Sequence, residues 1–147
     1  MGDDSGFSVA DFYNRSDGDI LLLRTPSVSS IELLQAMFTR LAQNPGLRLD
    51  LSTEIGMPIG GVGEVIAECD ERIGDFDKAI HIKKRRDGLP TLHWRRGPSG
   101  WQWCAELMQP LIDGGRAGKG QGHQYLAQSS VDDADIEVDF DPASGTA

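Results

Sequence analysis

Three histidines, a basic run and a row of acids are the residues of this 147-residue chain whose types could carry chemistry. His81, His93 and His123 are the candidate metal ligands. Zinc sites need closely spaced His/Cys pairs or three convergent ligands. Only His81 and His93 are placed to share a face, on the two arms of a predicted hairpin. Two solvent-facing histidines beside Lys83 and Arg95 account for them, and no metal site is assigned. His123, Ser129, Ser130 and Asp132 have the residue types of a catalytic triad, but neither serine stands in a G-x-S-x-G turn. A histidine and Tyr125 bracing a loop to the last strand explain the same residues without chemistry. Gly56, Gly60, Gly61 and Gly63 crowd one loop. No GK[ST] follows and the next segment reads as a strand, so the loop is a connector rather than a phosphate cradle. The chain is therefore read as non-catalytic, with no cofactor.

Charge is more informative. Lys83, Lys84, Arg85 and Arg86 face Arg95 and Arg96 across the predicted hairpin. Like charges directly opposed in a sheet repel by up to ~1 kcal/mol. Something should offset that. Asp135, Glu137, Asp139 and Asp141 line the outward face of the last strand and are the first candidate counter-charge. Glu64, Glu68 and Asp70 are the second. Internal pairing is preferred over the alternative, a nucleotide or nucleic-acid patch formed by Lys83, Arg85, Arg86, Arg95 and Arg96 with Trp94 as a stacking platform.

The elements that must position these residues are legible from periodicity. Phe7 to Tyr13 reads as a short edge strand. Ile20 to Leu23 is apolar on both faces, as a strand covered on both sides requires. A helix follows over residues 27–44, with Ile31, Leu34, Met37, Phe38 and Leu41 inward and Ser29–Glu32 as its capping box. Leu47, Leu49 and Leu51 alternate as a strand. Residues 64–73 fit either a strand or a helical face, and the β-branched pair favours the strand. Ile80/Ile82 and Leu92/Trp94 are the inward faces of a hairpin around Asp87-Gly88. A two-residue loop would put Ile82 opposite His93 on mismatched faces. A loop over Asp87 to Leu89 sets Ile82 opposite Trp94 and is preferred. A second helix over residues 98–113 buries Trp101, Cys104, Leu107, Met108 and Leu111, with Pro110 kinking or ending it. Asp135 to Asp141 alternates as a last strand. Leu23-Arg24-Thr25-Pro26-Ser27 and Arg95-Arg96-Gly97-Pro98-Ser99 both lead from a strand into a helix. Either a duplicated strand–helix–strand unit or a recurrent good helix start explains the echo.

The expected fold class is α+β: a largely antiparallel sheet of five to seven strands with two helices on one face. Residues 1–141 form one domain with frayed first residues, and 142–147 a disordered tail. A net charge of −9 argues against general nucleic-acid binding and against anionic membranes, and suits a basic protein partner. No apolar run nears the ~20 residues of a membrane span, and the N-terminus lacks the apolar core of a secretory signal. A cytoplasmic protein is expected, with Cys69 and Cys104 as reduced, buried small hydrophobes.

Gly122-His123-Gln124-Tyr125-Leu126, followed by the acidic strand, resembles a group of small bacterial α+β proteins that open with a strand and a helix and carry an aromatic helix before this element. Some small acidic proteins of that kind are of the polymorphic-toxin immunity type. The resemblance implies a stand-alone α+β domain and carries over no catalytic residue. Two function classes follow. The first is an acidic binding protein that presents Asp132, Asp133, Asp135, Glu137 and Asp139 to a basic partner. The second is the hairpin patch.

Overall fold

A computed structural model describes residues 6–16, 18–74, 77–84, 88–127 and 132–144. Strands Val9–Arg15 (β1) and Gly18–Thr25 (β2) form an antiparallel hairpin that leads into helix Val28–Gln43 (α1). Strand Arg48–Asp50 (β3) turns at once into a five-residue helix, Leu51–Ile55 (α2), and strand Glu64–Cys69 (β4) follows. The second half repeats the pattern: strands Ile80–Lys83 (β5) and Thr91–Arg96 (β6), helix Pro98–Arg116 (α3), then strands Gly122–Ala127 (β7) and Ala134–Phe140 (β8).

The α+β class is as expected, but the single sheet is not. The eight strands of the described residues form two mixed four-stranded sheets, ordered β1-β2-β8-β7 and β3-β4-β6-β5, each joined at its centre by a parallel pair. Alternation reveals which residues face inward but not which strands are neighbours, so the split into two sheets was not visible in the pattern. Ile20 to Leu23, expected to be covered on both faces, is buried on both, and its strand lies between β1 and β8.

The two halves are one ββαββ unit used twice, with their hairpins exchanged between the sheets. A constant shift of 71 residues (21 to 92, 65 to 136) takes Leu21 to Leu92, Leu23 to Trp94 and Arg24 to Arg95. The same shift takes Val65 to Ile136, Ala67 to Val138 and Glu68 to Asp139, so the β2–β8 pairing maps onto β6–β4. The backbone bond from Asp141 N to Thr25 O recurs as Asp70 N to Arg96 O, both 2.9 Å. The duplicated unit is thus real in the structure, but the Pro-Ser echo, spaced by 72 residues, stands out of its 71-residue register. The prolines are not equivalent: Pro26 precedes the N-cap Ser27, whereas Pro98 is the first residue after the N-cap Gly97.

One core runs from Phe7 to Phe140 and takes in the inner faces of both sheets and the packed α1–α3 pair. Phe38 of α1, Trp94 of β6 and Trp101 of α3 meet at its centre, with ring centroids 4.8–5.8 Å apart. Trp101 Nε1 donates to Glu68 O at 3.0 Å, which ties α3 to β4.

Several local expectations need correction. Ser27, not Ser29, caps α1, its hydroxyl accepting from Ser29 N at 3.2 Å. Helix α3 runs through Pro110 to Arg116; Pro110 and Glu106 lie on the exposed side, where water can serve the carbonyl that proline leaves without a donor. Leu51 ends the strand pattern because Asp50 caps α2, accepting from Ser52 N at 3.0 Å. The hairpin pairs Ile82 with Leu92 and Ile80 with Trp94. This register keeps the expected faces but lies two residues from the expected one. Pro90 cannot donate to a ladder, so pairing begins at Thr91 and the connection is longer. Leu107 is only half-buried, and Met108 takes the inner position. Asp141–Ser144 forms a turn, with Ser144 Oγ 2.8 Å from Ser8 Oγ, so the expected disordered tail is ordered over this part. Residues 1–5 and 145–147 lie outside the described residues.

Candidate functional site

The outward face of the first sheet gathers most of the predicted acidic residues. Strand register fixes its layout in three rows: Val9, Arg24, Asp139 and His123; Asp11, Leu22, Glu137 and Tyr125; Tyr13, Ile20 and Asp135. Ile20 and Leu22 point away from the central core, yet only 1% and 8% of their surface is exposed. Ion pairs lie around them. Arg15 of β1 reaches Asp135 of β8, so its side chain crosses β2, where Gly18 leaves room. Arg24 bonds Asp139 through Nε at 3.2 Å and Nη2 at 3.0 Å. Tyr13 and Tyr125 stand out from this face, 43% and 39% exposed.

Glu137 sits in the middle. Burial pushes its carboxyl pKa up, and the neighbouring Asp139 carboxylate adds to the rise; a hydrogen bond from Tyr125 and the charge of His123 act against it. The Tyr125 hydroxyl is raised as well, first by burial and then by the Glu137 charge. The ring of His123 meets Tyr125 edge-on at 5.6 Å.

The charge layout differs from the expected one. The last strand and the hairpin belong to different sheets, and among the described residues β8 does not pair with Arg95 or Arg96. Its Asp135 and Asp139 are paired with Arg15 and Arg24, residues that sequence reasoning passed over because the two strands they sit on are distant in the chain. Arg95 instead pairs with Asp70 at 3.0 Å and approaches Glu68 at 3.9 Å, the second counter-charge that the sequence offered. Under the repeat, Arg95–Glu68 is the equivalent of Arg24–Asp139. The hydrogen bonds from Arg72 and Arg95 hold Asp70 far below the usual carboxylate range, with the Arg72 bonds contributing most.

Asp132 and Asp133 serve the fold rather than an open acidic face. Asp132 is buried, and its Oδ1 accepts from Ala79 N at 2.6 Å and Ile80 N at 3.0 Å. Asp133 accepts from Ile82 N at 2.9 Å and pairs with Lys78. Burial raises the Asp133 pKa, but those bonds outweigh it and hold the carboxyl below its ordinary value.

The alternative basic site loses its platform. Trp94 is 0% exposed at the centre of the core and offers no ring to a base. Arg96 donates to Leu126 O at 2.6 Å and lies 5.2 Å over the ring of the exposed Trp103. Lys83 is exposed on β5, and Arg85 and Arg86 lie outside the described residues.

Two clefts of about 260 and 270 Å³ open at the carboxyl ends of β8 and β4, equivalent places under the repeat. Arg24, His123, Asp139 and Asp141 line the first; Glu68, Asp70, Glu71 and Arg72 line the second. His93 Nε2 lies 3.0 Å from Glu68, and His81 Nε2 lies 3.3 Å from Lys78 O. Among the described residues no group of three or more His, Cys, Asp or Glu is placed to hold a metal ion. Ser129 and Ser130 lie outside the described residues. No helix among the described residues is long and apolar enough to cross a membrane. The chain matches no known family model, no curated protein and no solved structure.

Proposed function

We propose that this is a non-catalytic binding protein of the immunity type, which neutralises a basic partner protein through the outward face of its first sheet. The observation that carries the reading is the pairing of two exposed tyrosines with carboxylates on one sheet face. Tyr13 and Tyr125 stand over a floor of Ile20 and Leu22, and Asp11, Asp135, Glu137 and Asp139 lie in the same rows. Tyrosine is among the residue types enriched as interface anchors, because it covers a large area at small conformational cost and keeps a polar tip. Four carboxylates against the guanidinium groups of Arg15 and Arg24 leave the face acidic, and the whole chain carries −9. That field speeds the approach of a cationic partner and disfavours an anionic one.

Affinity capture on the immobilised full chain, from a lysate of its own source, tests the proposal. It requires a protein of basic isoelectric point that is retained at physiological ionic strength and released by added salt. Retention of nucleic acid, or of acidic proteins alone, would count against it.

A further inference from the structure

Two four-stranded sheets have four outer edges, and an edge exposes unpaired N–H and C=O groups that invite another strand. This chain closes two of them with equivalent segments, the stretches just ahead of β4 and β8. Along β1, Gly60 N donates to Ala10 O and Phe12 N donates to Gly60 O, at 2.9 and 2.8 Å. Gly61 follows with φ +78°, and a side chain there would collide with the Phe12 carbonyl. Along β5, Asp132 and Asp133 take the N–H groups of Ala79, Ile80 and Ile82, and Asp133 N donates to Ile80 O. The third edge, β3, is three residues long and turns straight into α2.

The fourth edge, β7, is six residues long. Among the described residues its backbone bonds only to β8, except that Leu126 O accepts from Arg96. Protected edges carry lysine, proline or a bulge. Here the bulge at Tyr125/Ala127 and the Arg96 contact lie at the far end. Gly122-His123-Gln124-Tyr125 has no lysine, arginine or proline.

We infer that the open edge of β7 over Gly122–Tyr125 accepts an extended segment of the basic partner, with lysine or arginine at alternate positions, as a fifth strand. This inference rests on the binding-protein reading, and it names how the partner docks. Charge decides the occupant. Strands lie about 4.8 Å apart, so alternate side chains of an added strand would stand beside His123 and Tyr125, with Asp139 and Glu137 one strand beyond. A long basic side chain can lean over that distance to the carboxylates. The other alternate positions border α3, where a side chain at Gly122 would meet Leu111, and these suit apolar residues.

The test uses the full chain and two probe peptides, one alternating lysine and valine over seven residues, the other with proline in place of each valine. Both carry the same charge, but only the first can form a strand. Amide hydrogen exchange across Gly122–Tyr125 is followed by NMR. At about ten times its Kd, the valine peptide should slow exchange there about tenfold, as expected for ligand-linked protection, and the proline peptide should not. Equal binding of both peptides without protection of these amides would overturn the strand-addition inference and leave the acidic-face reading standing. Binding of neither would overturn both.

Discussion

Replacing Asp132 by alanine probes how the two sheets are tied together. One carboxylate oxygen serves two buried backbone donors, Ala79 N at 2.6 Å and Ile80 N at 3.0 Å, and both residues are almost fully buried. The alanine variant leaves both donors without a partner. An orphaned buried donor costs about 1–3 kcal/mol, so the pair should cost roughly 2–6 kcal/mol, with the lower end applying if water enters. Asp132→Asn keeps an oxygen at the same place and loses only the charge-assisted part, about 1 kcal/mol. Urea melts give the stability change, and amide exchange at Ala79 and Ile80 should speed up in the alanine variant before the rest of β5 does. Equal losses for the alanine and asparagine variants, or an alanine loss below about 0.5 kcal/mol, would refute the edge-closing role of this residue.

Because the fold raises the Glu137 pKa, its contribution is full below the ordinary glutamate range and is lost as pH rises through the raised value. Glu137→Gln should therefore be more stable than the wild type at pH 7, with the difference in urea midpoint shrinking toward acid pH. Ser27→Ala should cost about 1 kcal/mol in thermal or urea melts and Ser29→Ala clearly less, since Ser27 supplies the capping oxygen. Both thiols are buried and free, and burial pushes Cys104 up to about 12. Neither should react with a thiol reagent at pH 8 in the native protein, and both should react in urea.

The elements were largely legible, and their assembly was not. Ile20 to Leu23, apolar on both faces, marked a strand covered on both, and the α1 periodicity marked its buried stripe. These are local patterns set by burial, and burial writes itself into sequence directly. The neighbours of each strand are set by long-range pairing. Nothing local says that Leu21 lies beside Ile136 or Val65 beside Leu92. The same limit hid the partners of Asp135 and Asp139. The acids were visible as a row, but Arg15 and Arg24 lie more than a hundred residues away in the chain. Trp94 could have been placed correctly. It shares the alternation of Leu92, and an inward position on a strand flanked by β4 and β5 leaves no room for a stacking role. The Pro-Ser echo pointed to a duplicated unit but stands one residue out of its register, in which only Leu21/Leu92 and Arg24/Arg95 are identical between β2 and β6 or between β4 and β8.

Calorimetry on the purified captured partner would show whether the tyrosine-bearing acidic face holds it. Wild-type protein and the Tyr13→Ala/Tyr125→Ala variant would be titrated at physiological ionic strength. Both tyrosines are exposed, so the variant should stay folded, and its urea midpoint verifies this. Loss of two anchors of at least about 1 kcal/mol each predicts a Kd weakened tenfold or more. An unchanged Kd for the folded variant would contradict the claim.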